Sequence, residues 1–462
     1  MLKNFIGLLF ISICAYSLTL VIGGCAQISQ PSGGPKDTIA PVLINAAPAN
    51  LATNFTGNKI VLTFDEYIEV SNISENVLIS PLQKSNPIIS FKFRAVTIKF
   101  RDTLLPNTTY TIDFGKALQD LNEGNPLQDF TYTFSTGDVI DSLSLNGKVL
   151  LAESGKTDST LTATLYRDLS DTAVQKKRPL YTAKVKADGS FSFKNLPAGQ
   201  FKLYALKDGD GGKTYNAKTE TFAFLDSIID IEENTTPRTL YAYQETKAVP
   251  PPVGGTRTPA EKRLRYTTSL EAQVQDVTRP LEIIFNNSIR TFDEKSIVLL
   301  DSNRVPVANR TFTPDSTQKI WSLSTSWLQD YDYALVIPKD AVSDSVGSNL
   351  FRTDTIRFNT SKAEDYGSIV LRFKNIDLNK NPVIQFVSAE TVKFSFPVTG
   401  NEWSGKMFKP GEYELRILYD TDKNGRWDPG SYATKRQPEI AITIPQKITV
   451  RANWDNELDI NL

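Results

Sequence analysis

Between Pro41 and Gly137 the apolar residues fall on alternate positions. Ile60, Leu62 and Phe64 do so, then Phe91 and Phe93, Ile98 and Phe100, Tyr110, Ile112 and Phe114, and finally Phe130, Tyr132 and Phe134. Side chains of a strand alternate between its two faces, so period-two runs broken by Pro, Asn and Gly predict half-buried antiparallel strands. Their number within about 100 residues predicts a two-sheet sandwich. Residues 141–245 continue as strands with different punctuation. Asp188-Gly189 marks a hairpin turn before Phe191 and Phe193, and Leu196-Pro197-Ala198-Gly199 breaks the chain before Phe201, Leu203 and Ala205. Pro250-Pro251-Pro252-Val253-Gly254-Gly255, within residues 246–262, reads as a linker with a stiff half and a loose half.

After the linker the same order returns. Thr109-Tyr110-Thr111-Ile112, with Asp120, Gly124, Asn125 and the run Phe130 to Phe134, is echoed by Tyr331-Asp332-Tyr333-Ala334-Leu335, Asp344, Gly347, Asn349 and the strand Ile356 to Phe358. Gly199-Gln200-Phe201-Lys202-Leu203 is echoed by Gly411-Glu412-Tyr413-Glu414-Leu415, and Asp208 and Asp210 by Asp420 and Asp422. The chain therefore reads as a two-domain unit used twice: A (41–137), B (141–245), A′ (263–361) and B′ (366–462). The expected fold class is all-β, with two pairs of β-sandwiches in series.

The N-terminus carries a different signal. Lys3 precedes an apolar stretch from Phe5 to Ile22, which ends in Gly23-Gly24-Cys25. A short positive region, an apolar run and small residues before a cut describe a signal peptide over residues 1–24. Ile22-Gly23-Gly24-Cys25 looks like a lipobox, at which the new N-terminal Cys25 is lipidated. An uncleaved transmembrane anchor is the competing reading, since ~18 residues just span a bilayer. Residues 25–40, with Pro31-Ser32-Gly33-Gly34-Pro35, read as a tether whose typical reach is roughly 20–25 Å.

Composition narrows the chemistry. There are 51 basic and 52 acidic residues, so no basic surplus nominates nucleic acid. Histidine is absent, which removes Ser-His-Asp and Cys-His systems, HExxH metal sites and histidine proton shuttles. Of the two cysteines, Cys14 leaves with the signal peptide, so the mature chain has no disulfide to staple it. Carboxylates such as Asp65, Glu66 and Glu69 are plentiful, yet sequence places no two of them across a cleft. The chain is expected not to be an enzyme.

The sharpest local motif is Asp420-Thr421-Asp422-Lys423-Asn424-Gly425-Arg426-Trp427-Asp428. Oxygen side chains from Asp420, Asp422, Asn424 and Asp428, with Gly at the sixth position, reproduce most of an EF-hand-type calcium loop. The twelfth position is Ser431, so a site needs completion from a neighbouring strand such as the one holding Glu439. The alternative is a polar loop whose Asp and Asn side chains cap their own backbone. The equivalent loop, Asp208-Gly209-Asp210-Gly211-Gly212, loses the third oxygen ligand. Five tryptophans (Trp321, Trp327, Trp403, Trp427, Trp454) read as core or loop anchors before they read as a sugar platform.

Two resemblances add to this. Pro41-Val42 through Gly137, with Leu105-Pro106-Asn107-Thr108-Thr109-Tyr110 and Asn122-Glu123-Gly124-Asn125, resembles the bacterial Ig-like domain of S-layer proteins. The segment around Asp188-Gly189-Ser190-Phe191 and Leu196-Pro197-Ala198-Gly199 resembles a prealbumin-like or carboxypeptidase-regulatory-like sandwich. A′ departs from the first pattern, with Pro338-Lys339 where A has Gly115-Lys116. The whole, including Gly33-Gly34-Pro35-Lys36-Asp37, is similar to Bacteroidota Ig-like lipoproteins. The resemblance implies an outer-membrane lipoprotein anchored by Cys25. The lack of acids in Gln27-Ile28-Ser29-Gln30 tilts it to the periplasmic face. It implies a spacer and docking scaffold for an envelope protein partner, with a glycan- or cell-wall-binding adhesin and a calcium-stabilised rod as alternatives. Asp-Ser/Thr tripeptides look like the O-glycan acceptor pattern of exported Bacteroidota proteins, nominating Thr38, Thr172, Ser227 and Thr355.

Overall fold

Strand propensity and alternation are realised throughout: helical elements among the described residues are single turns of three or four residues. The computed structural model describes residues 36–209, 211–233, 235–247 and 263–462. The signal segment, Cys25 and most of the Pro/Gly linker fall outside them. The chain divides into two compact units, residues 1–140 and 141–462.

In the first unit one sheet orders Leu43–Ala47, Lys59–Phe64, Ala95–Lys99 and Ile88–Lys92, and a second orders Leu78–Ser80, Thr109–Asp113 and Thr131–Ser135. Alternate residues of both sheets meet in one core, Ile60, Leu62, Phe64, Val96 and Ile98 against Tyr110, Ile112, Tyr132 and Phe134. Tyr110 stacks on Phe134 at 5.2 Å and its hydroxyl accepts the Leu105 N–H at 2.7 Å, tying the loop before the strand to the core. A third pairing, Ile68–Val70 with Leu118–Asp120, closes one end.

One expectation fails here. Phe91 and Phe93 are not on a half-buried strand face. Ile88–Lys92 is the sheet edge, Phe91 is exposed, and Lys92 pairs with Ala95, so Phe93 and Arg94 form the two-residue turn of a hairpin. Alternation predicts which residues share a face, but an edge hairpin has no second layer to cover it.

The second unit holds three sandwiches. In B, Leu143–Leu151 lies between Ser190–Leu196 and, in parallel, Arg238–Ala242, opposite the order Tyr181–Lys184, Thr162–Tyr166, Gly199–Leu206, Phe222–Phe224. B′ repeats both sheets. Gly367–Lys374 lies between Glu402–Phe408 and, in parallel, Asp455–Asn461, opposite Thr391–Pro397, Pro382–Ser388, Gly411–Tyr419 and Ile440–Val450. A′ repeats the strand order of A, with Tyr266–Thr268, Leu281–Phe285, Ile320–Thr325 and Arg310–Pro314 in one sheet and Val298–Leu300, Asp332–Ile337 and Asp354–Thr360 in the other. The echoed Asp120 and Asp344 do the same job in each copy. Asp120 accepts N–H groups of Glu123, Gly124 and Asn125, and Asp344 those of Val346 and Ser348, so each closes its own loop.

Order along the chain is not order in space. Within the second unit B′ packs directly on B, although A′ separates them in sequence. The Ala441 N–H donates to the Ala152 carbonyl at 2.7 Å, and the Thr443 hydroxyl to the Ser154 carbonyl at 2.5 Å.

Candidate functional site

The motif loop begins where Gly411–Tyr419 ends and returns to the sheet at Ile440–Val450. Its first residue, Asp420, is buried, and its carboxylate takes the N–H groups of Lys423 (2.7 Å), Asn424 (3.3 Å) and Gly425 (2.7 Å). Gly425 has φ +76°, the left-handed conformation that lets the loop fold over this carboxylate. Glu439, also buried, closes the other side, accepting Thr421 N–H at 2.6 Å and Asp428 N–H at 3.1 Å. Carboxylate oxygens of Asp420, Asp422 and Glu439 lie within 4.8 Å of one another.

Two of the four expected ligands, Asp420 and Asp422, are thus brought together, with Glu439 as a third. Asn424 points its amide nitrogen at Asp422 (3.0 Å) and Asp428 (2.5 Å), while its carbonyl oxygen accepts from Arg426 N–H at 2.7 Å. Asp428 sits beyond that amide. In this geometry the loop caps its own backbone, and a cation would need Asn424 to turn its oxygen inward. The donor set fits a hard divalent cation: three carboxylates supply charge and oxygen. Burial, and then the charges of Asp420 and Asp428, raise the Glu439 carboxyl above the usual value, which is the electrostatic condition a cation relieves. In the equivalent loop Asp208 caps the Gly211 N–H at 2.9 Å, and Asp210 lies outside the described residues.

The same loop continues into a plug. Tyr432 enters B and stands edge-on to Phe222 (5.2 Å), Phe224 (5.1 Å) and Tyr204 (6.0 Å). Its hydroxyl lies 3.1 Å from that of Tyr204 and donates to the Asp171 carbonyl at 2.8 Å, while its N–H donates to Glu245 at 2.9 Å. Tyr215 donates to the same Glu245 oxygen at 3.0 Å. Lys435 caps the outer face of the Tyr432 ring at 3.6 Å and pairs with Asp171 at 3.1 Å. Gly430 has to be glycine, because a Cβ there would lie 2.6 Å from Tyr243 Cζ and 2.8 Å from the Arg436 carbonyl oxygen. Beside the plug, Trp427 donates to the Glu439 carbonyl at 2.7 Å and lines an open cleft of about 670 Å3 with Glu153, Gln385, Phe394 and Arg426.

Nothing in the sequence pattern marks Tyr432. It was one of many tyrosines, and its aromatic partners lie more than two hundred residues away. Trp321 stacks on Phe292 at 3.7 Å and Trp327 and Trp403 pack into aromatic clusters, whereas Trp454 is exposed beside Arg451. Thr38, Thr172, Ser227 and Thr355 are all exposed. Cys25 lies outside the described residues.

Comparison with known proteins is consistent with this architecture. Residues 37–136 match the model of the Bacterial Ig-like domain family. No curated protein matches the chain. Among solved structures, the Bacillus anthracis TIE protein is 10% identical, with 94% of this chain and 76% of that chain covered, at a TM-score of 0.17. The major pilin subunit BcpA of Bacillus cereus is 10% identical, with 70% and 99% covered, at 0.18. The S-layer protein rSbsC is 11% identical, with 91% and 54% covered, at 0.17. TM-scores this low carry no argument about fold or function. The first sandwich, by its sequence match and its own strand order, is of the bacterial Ig-like kind, and the chain is an all-β protein of tandem sandwiches.

Proposed function

We propose that this chain is a non-catalytic envelope lipoprotein of the Bacteroidota type, held at the outer membrane by acyl chains on Cys25. Its sandwiches serve as a spacer and as a docking scaffold for a protein partner, on the periplasmic side. The observation that supports a scaffold is the lock between B and B′. A buried tyrosine, its hydroxyl bonds and direct backbone bonds join two sandwiches that could otherwise pivot on their connections, and rigidity is what a spacer needs. Mass spectrometry of the protein from native membranes tests the anchor, with a chain starting at an acylated Cys25 expected. An unmodified N-terminus or a retained signal segment would sink it. Crosslinking in the same membranes is expected to recover one stoichiometric envelope partner.

A second reading has its own support. The acidic pocket and the plug share one loop, and Glu439 both faces the pocket and donates its N–H to the Asp428 carbonyl at 3.1 Å. Calcium at Asp420, Asp422 and Glu439 would brace the plug from behind, making the second unit a calcium-stiffened rod. A chelator-dependent fall in melting temperature that disappears in Asp420→Ala is the expected result.

A further inference from the structure

One end of the first sandwich carries exposed apolar side chains that serve no core. Phe93 is 66% exposed, Tyr67 49% and Leu121 53%, and Ile39 and Val42 beside them are exposed as well. They form one rim. The Phe93 and Tyr67 rings lie 6.0 Å apart, the Leu121 N–H donates to the Tyr67 carbonyl, and Val42 and Asp65 exchange hydrogen bonds at 2.8 and 3.0 Å. Phe93 is also held at φ +54°, at the turn position where hairpins use glycine or asparagine. A bulky side chain in the left-handed region is a real outlier. Neither burial nor turn chemistry explains a phenylalanine there; its ring contacts are with Tyr67 and Lys92 of the same exposed rim, so it serves a surface rather than the core.

The rim lies where the chain arrives from its N-terminal side. Asn125 donates to the Asp37 carbonyl at 3.1 Å, and the Ile39 N–H donates to the Asp37 side chain. The opposite end of the sandwich holds Leu105 and Gly137, reached by following Ala95–Lys99 and Thr131–Ser135 away from Phe93. Between Cys25 and Lys36 the composition predicts a coil with a reach of roughly 20 Å. If Cys25 is acylated, that leash keeps this end of the sandwich, rather than the other, within reach of the headgroups. Lys92 lies 5.3 Å from the Phe93 ring and Arg94 5.9 Å from the Tyr67 ring, while Glu66 beside Tyr67 faces the carboxylates of Asp120, Asp65, Asp37 and Glu123, so the rim carries both signs of charge and suits a zwitterionic headgroup. Aromatic side chains flanked by Lys and Arg suit the interfacial layer of a bilayer.

We infer that the Phe93–Tyr67–Leu121 rim is a membrane-contact surface that seats the first sandwich on the lipid headgroup layer. It rests on the anchor reading for its geometry, and the test supplies the anchor chemically. The full mature chain is coupled through Cys25 to a maleimide phospholipid in vesicles of brominated phosphatidylcholine. The first unit contains no tryptophan, so Phe93→Trp and, at the far end, Leu105→Trp each add one reporter there. Brominated lipid is expected to remove at least about half of the emission added at position 93 and little of that added at 105. Equal quenching at the two positions would overturn the proposal. Failure of cellular acylation is read separately, from the mass of the native N-terminus. Phe93→Gly supplies the second arm: relief of the turn should leave the melting temperature unchanged or higher, while quenching of a Leu121→Trp reporter drops about twofold or more. A lower melting temperature with unchanged lipid contact would make Phe93 a structural residue and refute the inference. So would concentration-dependent dimers that bury the rim without lipid.

Discussion

Tyr432 carries two kinds of contact at once, a ring inside an aromatic box and a hydroxyl shared between Tyr204 and the Asp171 carbonyl. They separate by mutation. Tyr432→Phe keeps the ring but strands the Tyr204 hydroxyl, and is expected to cost about 1–3 kcal/mol in chemical denaturation. Tyr432→Ala empties the box and should cost about 3–5 kcal/mol. Glu439 behaves in the opposite sense. Its carboxyl is raised by burial and by the charges of Asp420 and Asp428, so the folded state holds its proton more tightly than the unfolded chain does. The stability this gives is present below the unfolded value of 4.5 and is lost as the pH rises through the folded one. Without divalent cation, Glu439→Gln forfeits one backbone N–H partner at any pH but removes the repulsion only where Glu439 is ionised, so it should cost less stability at pH 7 than at pH 4. Equal effects at both pH values would contradict the repulsion. At this scale the sequence was informative about Asp420 and Asp422, because a loop's spacing is local. It was silent about Tyr432, whose environment is assembled from residues 171 to 245.

At the scale of elements, neighbouring sandwiches of the second unit are joined by polar clasps as well as apolar contact. At the A′–B′ contact the Tyr366 hydroxyl donates to Asp276 at 2.6 Å, Lys409 approaches the same carboxylate at 3.5 Å, and Arg279 lies over Phe394 at 5.2 Å. Burial opposes ionisation of Asp276, but hydrogen bonds from Tyr366 and Thr278 and the charge of Lys409 outweigh it and hold the carboxyl below its usual value. The stabilisation is complete above pH 3.8 and is lost as the pH falls through the folded value. Asp276→Asn should flatten the acid limb of the stability profile below pH 3.8, as measured by denaturation across pH. On the B–B′ side, Gly430→Ala should prise the plug outward, because its new methyl meets the Tyr243 ring and the Arg436 carbonyl oxygen. The expected loss is about 1–3 kcal/mol, the range for overpacking. The duplicated strand orders of A and A′, and of B and B′, were legible as echoed residues, since alternation and turn chemistry repeat with the fold. The clasps were not, because single polar residues on loops carry no period.

For the whole molecule, a first unit with a bare apolar rim and a locked second unit make different demands on the same chain. The rim at Phe93 gives up turn geometry for surface chemistry, while the lock at Tyr432 buries aromatic area and hydroxyl groups together. If the acidic pocket takes calcium, chelation should lower the melting temperature of the second unit and leave the transition of the first unchanged. Calorimetry of the full chain can read the two separately. A shift confined to the first transition would dismiss the rod reading.

The strand class and the repeated strand order are legible in the residue pattern. Ile60, Leu62 and Phe64 or Tyr110 and Ile112 alternate because a strand has two faces, and each buries one. Sequence by itself also narrowed the chemistry, since a chain without histidine has no histidine triad, HExxH site or imidazole proton shuttle to offer. Tertiary structure alone decided which sandwich meets which, which face of an edge hairpin stays bare, and which distant carboxylate completes the acidic pocket. The reason is physical. Alternation encodes a face to be covered but not the identity of what covers it, and the partners of Tyr432 and Phe93 are set by packing across long stretches of chain rather than by any local pattern.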